Sequence, residues 1–150
     1  MRLPIQVAIH TFRETEHGRE YLLLRRLAID GGYWQEPTGG VESPETISDA
    51  ADRELREETG FEPIRLEPIG YVYSHSIEPE MKLRHDFTAD KLEVHVFAAE
   101  IADDVDPVID PTEHDSFRWL ALPEAIALLY WPEDREAVRR VDVHVAARRQ

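Results

Sequence analysis

The chain of 150 residues contains no cysteine, which excludes disulfide cross-links and thiol chemistry. No apolar run reaches the roughly 18 residues that a membrane-spanning helix needs. The opening "MRLPIQVAIHTF" alternates apolar and polar residues and reads as a strand rather than a secretory leader. Positive charge is scarce: 17 Lys and Arg stand against 31 Asp and Glu, a formal net charge of −14 at pH 7. A protein that coats nucleic acid needs a basic face, so that class is excluded. A small anionic substrate is not excluded, provided that Arg, Lys or bound metal neutralises it locally. The seven histidines are scattered, without metal-ligand spacing of the H-x3-H kind. No repeat, low-complexity tract or linker interrupts the chain. What remains is a single domain over residues 1–150, large enough for a real core and expected in the cytoplasm.

What is present mixes α and β signatures. "LPIQVAIHTF" puts Ile5, Val7 and Ile9 on one face, and "EYLLLRRL" is a second apolar strand, with "ETEHG" between them as a hairpin turn. "DGGYWQEPTGG" reads as loop, dense in Gly and Pro. "LEPIGYVYSHSI" and "KLEVHVFAAEI" are further strands, separated by the polar insert "EPEMKLRHDFTAD". "DSFRWLAL" is a last short strand. "PEAIALLY" and "PEDREAVRRVDVHVAARR" are helices, each opening with Pro near its first turn.

One more helix is expected from about Pro44 to Thr59, with Ser43 as N-cap, Pro44 as first residue and Gly60 as C-terminal stop. At ~100° per residue, Ile47, Ala50, Ala51 and Leu55 form an apolar stripe. Glu54 and Glu58 fall inside that stripe, Glu57 falls at its edge, and Arg56 points the opposite way. Carboxylates are disfavoured at a helix C-terminus, and Glu54 with Glu58 is a repulsive i,i+4 pair. A solvated acidic face would lie opposite Ile47 and Ala51. Carboxylates turned toward protein need a partner, either an Arg or a divalent cation. Hard oxygen donors on one helix face suit Mg²⁺ or Mn²⁺.

The spacing here is recognisable. Gly39, five residues, Glu45, seven residues, then "RELREETGF" resembles the Nudix box, G-x5-E-x7-R-E-U-x-E-E-x-G-U with U bulky and apolar. Arg53, Glu54, Leu55, Glu57, Glu58, Gly60 and Phe61 fill its second half, so all nine specified positions agree. The resemblance implies an α/β/α sandwich with a mixed β-sheet between helices. It implies Mg²⁺- or Mn²⁺-dependent hydrolysis of a nucleoside diphosphate linked to another group. By matching positions it makes Glu54, Glu57 and Glu58 metal ligands and gives Arg53 and Glu45 a bracing role. Glu42 is a possible outer ligand. Gly39 and Gly40 would let the backbone pass close to the metal. The main-chain carbonyl ligand of the family falls at Thr38. Many members have Gly at that position, and "PTGG" departs from them, leaving the Thr38 hydroxyl free to touch substrate.

"WQEPTGGVESPET", with "TEHDSFRWLALPEA" much later, resembles the bacterial dihydroneopterin triphosphate diphosphatases, which also act on dATP. That likeness makes Glu113 a further metal ligand; the alternative is a surface residue at a strand start. "EH-x3-RWL" equally resembles diadenosine tetraphosphate hydrolases. The expected substrate is a nucleoside or pterin triphosphate, with a dinucleoside polyphosphate as the alternative. An ADP-ribose type diphosphatase and a nucleotide-binding module without turnover are more distant readings. For contacts to substrate, Arg25 matches the phosphate-contacting position better than Arg26, and strand alternation allows one of the two to point there. Tyr33 and Trp34 could stack on a ring or serve as packing anchors, and Trp131 carries the same ambiguity. Lys82, Arg84 and Lys91 could form a lid or be solvated. His114 is the histidine nearest the glutamates. Nothing in the sequence decides between monomer and homodimer.

Overall fold

Alternation in the first residues becomes β1 (Arg2–Thr15), which turns at Gly18 into β2 (Gly18–Arg26). The two strands pair only from Phe12↔Tyr21 to Thr15↔Gly18 and then splay apart. Two strands fill the gap. β3 (Trp34–Gln35) joins the freed edge of β2, and β4 (Thr38–Glu42) joins the freed edge of β1. The far edge of β1 pairs in parallel with β6 (Lys91–Ile101), which pairs antiparallel with β5 (Arg65–Ser76). The far edge of β2 pairs with β7 (His114–Leu120). The result is a seven-stranded mixed sheet. It is seen in a computed structural model that describes residues 1–148.

Helices cover both faces, because β1 and β2 are apolar on both sides. Helix α1 (Ile47–Thr59) packs Ala50, Ala51 and Leu55 against Val7, Ile9, Leu22 and Leu24. A short α2 (Pro79–His85) lies in the insert and buries nothing. On the opposite face, α3 (Leu122–Leu128) and α4 (Pro132–Arg148) bring Ala125, Ala137, Val138, Val141 and Val145 against Phe12, Tyr21 and Leu23. At about 25 cal/mol per Å² these two clusters supply most of the driving force for folding. The α/β/α sandwich implied by the sequence is the architecture found. Among the described residues no helix is long and apolar enough to cross a membrane.

Three local expectations need correction. Helix α1 starts at Ile47, and its cap is Thr46, whose side chain accepts the Asp49 N–H at 3.0 Å. Ser43 and Pro44 belong to a turn with a cis peptide bond, held by Glu45 N–H on the Glu42 carbonyl at 2.8 Å. The glycine-rich stretch contains β3 and the start of β4, because backbone pairing across the splay outweighs its loop-like composition. The polar insert holds α2. The expected last helix extends to residue 149, which lies outside the described residues.

Candidate active site

The last turn of α1 ends at Gly60, in a left-handed conformation (φ 72°) that caps the Arg56 carbonyl. Over that turn the helix phase divides the glutamates. Glu58 is 5% exposed, Glu54 is largely buried, and Glu57 stands at the rim with its side chain 60% exposed. Arg56 faces away and pairs with Asp52 at 3.0 Å, as its phase requires. Glu58 accepts the Thr38 N–H at 3.0 Å. Gly39 lies so close to the Glu54 carboxyl that any β-carbon there would overlap it. Gly40 is constrained differently, since the Arg2 guanidinium occupies the space a side chain would need.

Arg53 forms the brace. Its fork meets both Glu45 oxygens at 2.6 and 3.1 Å, the Gly40 carbonyl at 2.9 Å, Glu54 at 2.8 Å and Glu57 at 3.3 Å. The arginine partner left open by the sequence therefore exists for Glu54 and Glu57, and Glu58 lies outside its reach. Burial pushes the Glu58 carboxyl well above the usual carboxylate range, and the charges of Glu54 and Glu113 add to the shift. Glu54 is also raised, chiefly by burial.

Glu113 and His114 enter from the start of β7, where both backbone N–H groups bond the Asp110 carbonyl. One donor atom each from Glu58, Glu113 and His114 lie within 4.8 Å of one another. Burial and the neighbouring Arg26 lower the His114 pKa, so the ring is neutral near pH 7. The Thr38 N–H points to Glu58 while Ile9 bonds Pro37 in the β1–β4 ladder. The N–H and C=O of one strand residue leave by the same edge, so the Thr38 carbonyl also leaves by the edge away from β1, where its N–H meets Glu58. Glu54, Glu58, Glu113 and this carbonyl are hard oxygen donors that fit Mg²⁺ or Mn²⁺. The mutual repulsion of the carboxylates is what a divalent cation would relieve.

Other expected contacts fall elsewhere. The Thr38 hydroxyl is not free, since it donates to the Val7 carbonyl at 2.8 Å. Arg25 turns out to solvent and pairs with Asp115 at 2.7 Å. Arg26 is the one whose charge acts on Glu58, and its Nε is buried without a partner. One of the two serves the site, as strand alternation allows, and it is Arg26 rather than the expected Arg25. Trp34 packs against the α3–α4 cluster as an anchor. Tyr33 lies 6.0 Å from the Arg26 guanidinium, stacks on Tyr130 at 5.3 Å and meets Trp131 edge-on at 5.8 Å. Glu42 lies 3.6 Å from the Met1 amino group. Lys82 and Arg84 pair within the insert, with Asp90 and Glu80, and Lys91 opens β6 as an exposed residue.

The structure adds a group that the sequence did not suggest. Glu36, just before the glycine stretch, is buried beside Asp134 of the first turn of α4. Burial raises both carboxyls, the charge of Asp134 adds to the shift of Glu36, and the Tyr73 hydroxyl donates to Asp134 at 3.4 Å. His10 Nε2 stands 3.8 Å from Glu36, and burial pushes its pKa down to about 3. The only local signal was weak: an Asp in a first helical turn is ordinary dipole complementation.

A protein-family model, the NUDIX domain, matches residues 4–141. A Myxococcus xanthus protein named octanoyltransferase is 35% identical over 119 residues, 79% of this chain, and the chain spans 31% of that protein's length. The dihydroneopterin triphosphate diphosphatase of Escherichia coli K12 is 28% identical over 145 residues, 95% of each chain. A Listeria monocytogenes crystal structure described as a NUDIX hydrolase superposes with a TM-score of 0.83 at 25% identity, covering 97% of both chains. With nearly the whole length matched by the family model, the chain belongs to the NUDIX domain family.

Proposed function

We propose that this hydrolase cleaves a nucleoside or pterin triphosphate between its α and β phosphates, releasing pyrophosphate, with Mg²⁺ or Mn²⁺. The observation that carries this reading is the convergence of Glu54, Glu58 and Glu113 beside the Thr38 N–H and Gly39. Glu54, Glu58, Glu113 and Thr38 would hold metal, with Glu57 at the rim. The cation supplies charge neutralisation on the phosphates and activation of water.

The chain's own residues do the rest. Arg53 fixes Glu54 and ties the helix to the Gly40 carbonyl, so the carboxylates are oriented before substrate arrives. Arg26 is the nearby cation suited to a phosphate oxygen. Tyr33, beyond Arg26, presents an aromatic face with Tyr130 and Trp131 that could hold one flat ring. One arginine and one aromatic group suit a single ring on a short polyphosphate.

The dinucleoside polyphosphate alternative rested on "EH-x3-RWL". Part of that motif is packing: Trp119 lies against Phe61 and under the Arg13 guanidinium at 4.2 Å. The shared motif therefore says little about substrate. The net charge of −14 supports a small-molecule substrate over nucleic acid, and a cytoplasmic location remains part of this proposal. The test is kcat/KM for dATP, dihydroneopterin triphosphate, diadenosine tetraphosphate and ADP-ribose under one set of conditions. The triphosphates should lead. A lead of about tenfold for diadenosine tetraphosphate, about 1.4 kcal/mol of transition-state preference, would replace this substrate with the dinucleotide.

A further inference from the structure

His114 is 2% exposed, and neither ring nitrogen has a hydrogen-bond partner within the protein. A buried imidazole is expected to satisfy both nitrogens, commonly one on a metal and one on a supporting group. Its position is not accidental. The backbone N–H of His114 is tied to the Asp110 carbonyl at 2.9 Å, and Leu27 of the strand end bonds the Glu113 carbonyl at 3.4 Å, which fixes the start of β7 against the glutamates. One donor atom from the ring, one from Glu58 and one from Glu113 fall within 4.8 Å of one another. Ligands about 2.1 Å from a shared ion stand up to about 4.2 Å apart, so a small inward movement closes the set.

We propose that His114 contributes an imidazole nitrogen to the metal site of Glu58 and Glu113, turning an all-oxygen site into a mixed nitrogen and oxygen one. This rests on the metal-dependent reading above and goes beyond it by assigning a ligand and a preference. A nitrogen donor favours Mn²⁺ and the later first-row ions, whereas Mg²⁺ favours oxygen alone. The site therefore discriminates for Mn²⁺ against Mg²⁺ through His114.

The experiment is pulsed electron paramagnetic resonance of Mn²⁺ bound to the full chain without substrate. Wild type should show ¹⁴N modulation from a directly bound nitrogen, replaced by the ¹⁵N pattern when histidine is isotopically labelled. His114→Gln should abolish that modulation. It should also weaken Mn²⁺ binding by about tenfold or more, since even residues that only support a ligand cost about 10- to 100-fold in affinity. Mg²⁺ binding should change less. Mn²⁺ bound with no nitrogen modulation overturns the assignment of His114 and leaves the carboxylate site standing. No Mn²⁺ binding at all overturns both. If His114→Gln does not fold, the labelled wild type decides, because His114 is the histidine among the described residues whose nitrogen joins this carboxylate group.

Discussion

Glu58 is a carboxyl held in protein by the Thr38 N–H, with two other carboxylates pressing on it. Replacing it with Gln keeps the shape and removes a charge from the site. Hydrolysis by Glu58→Gln should fall by orders of magnitude with the fold retained, while Arg56→Gln, on the far face of α1, should stay near wild type. Equal rates for Glu58→Gln and wild type would remove Glu58 from the mechanism. Glu36 offers a pH test. Its ordinary value is about 4.5 and its folded value is higher, so its contribution to stability is complete below that value and is lost as pH rises through the folded one. Glu36→Gln has no such proton to lose. In metal-free protein its melting temperature, relative to wild type, should therefore climb as pH rises above the ordinary value of about 4.5. A constant difference as pH rises would mean that Glu36 ionises as freely as an exposed glutamate.

Helix α1 shows how an element sets a site. Its phase puts aliphatic and acidic groups on one stripe, and its two ends fix where the acidic turn falls. At the N-terminus, the Thr46 oxygen accepts the Asp49 N–H. Thr46→Ala should cost about 1 kcal/mol in denaturant unfolding, whereas Ser43→Ala should change stability by less than about 0.5 kcal/mol. The reverse order would restore Ser43 as the cap. The splay between β1 and β2 is the complementary device. It opens a gap that β3 and β4 enter, and so carries Gly39 beneath Glu54 and Thr38 beneath Glu58. Much of this was legible beforehand, because spacing along one helix translates directly into a shared face. The ends of the helix were less so, since Ser and Thr are comparable caps and the turn before α1 decides between them.

At the scale of the whole molecule, a chain of net charge −14 gathers carboxylates from α1 and from the start of β7 into one place. Folding concentrates that repulsion, and a bound divalent ion offsets it in the folded state alone. At about 100 times its dissociation constant, such an ion adds about 2.7 kcal/mol, or about 5–10 °C in melting temperature for a domain of this size. Titration of metal-free protein with MgCl₂ or MnCl₂ should show this rise, and NaCl at matched ionic strength should not. Melting curves that respond equally to NaCl would reduce the effect to screening.

What the sequence determined by itself is local and periodic. The alternation of β1 and β2, the stripe of α1 with Glu54 and Glu58 inside it and Arg56 outside, and the spacing of Gly39 and Glu45 to Arg53 all follow from fixed backbone repeats. What the tertiary structure decided depends on approach through space. Arg26 rather than Arg25 acts on the carboxylates, since Arg25 is held by Asp115 of the neighbouring strand β7. The Thr38 hydroxyl goes to Val7 because β4 lies on β1. Glu36 meets Asp134 because α4 closes over the strand end, and His114 meets Glu58 because β7 starts beside the last turn of α1. Each of these joins residues from different elements, and no periodicity within one element encodes the distance to another. It is the packing of the two helical layers on a splayed sheet that brings these side chains into contact.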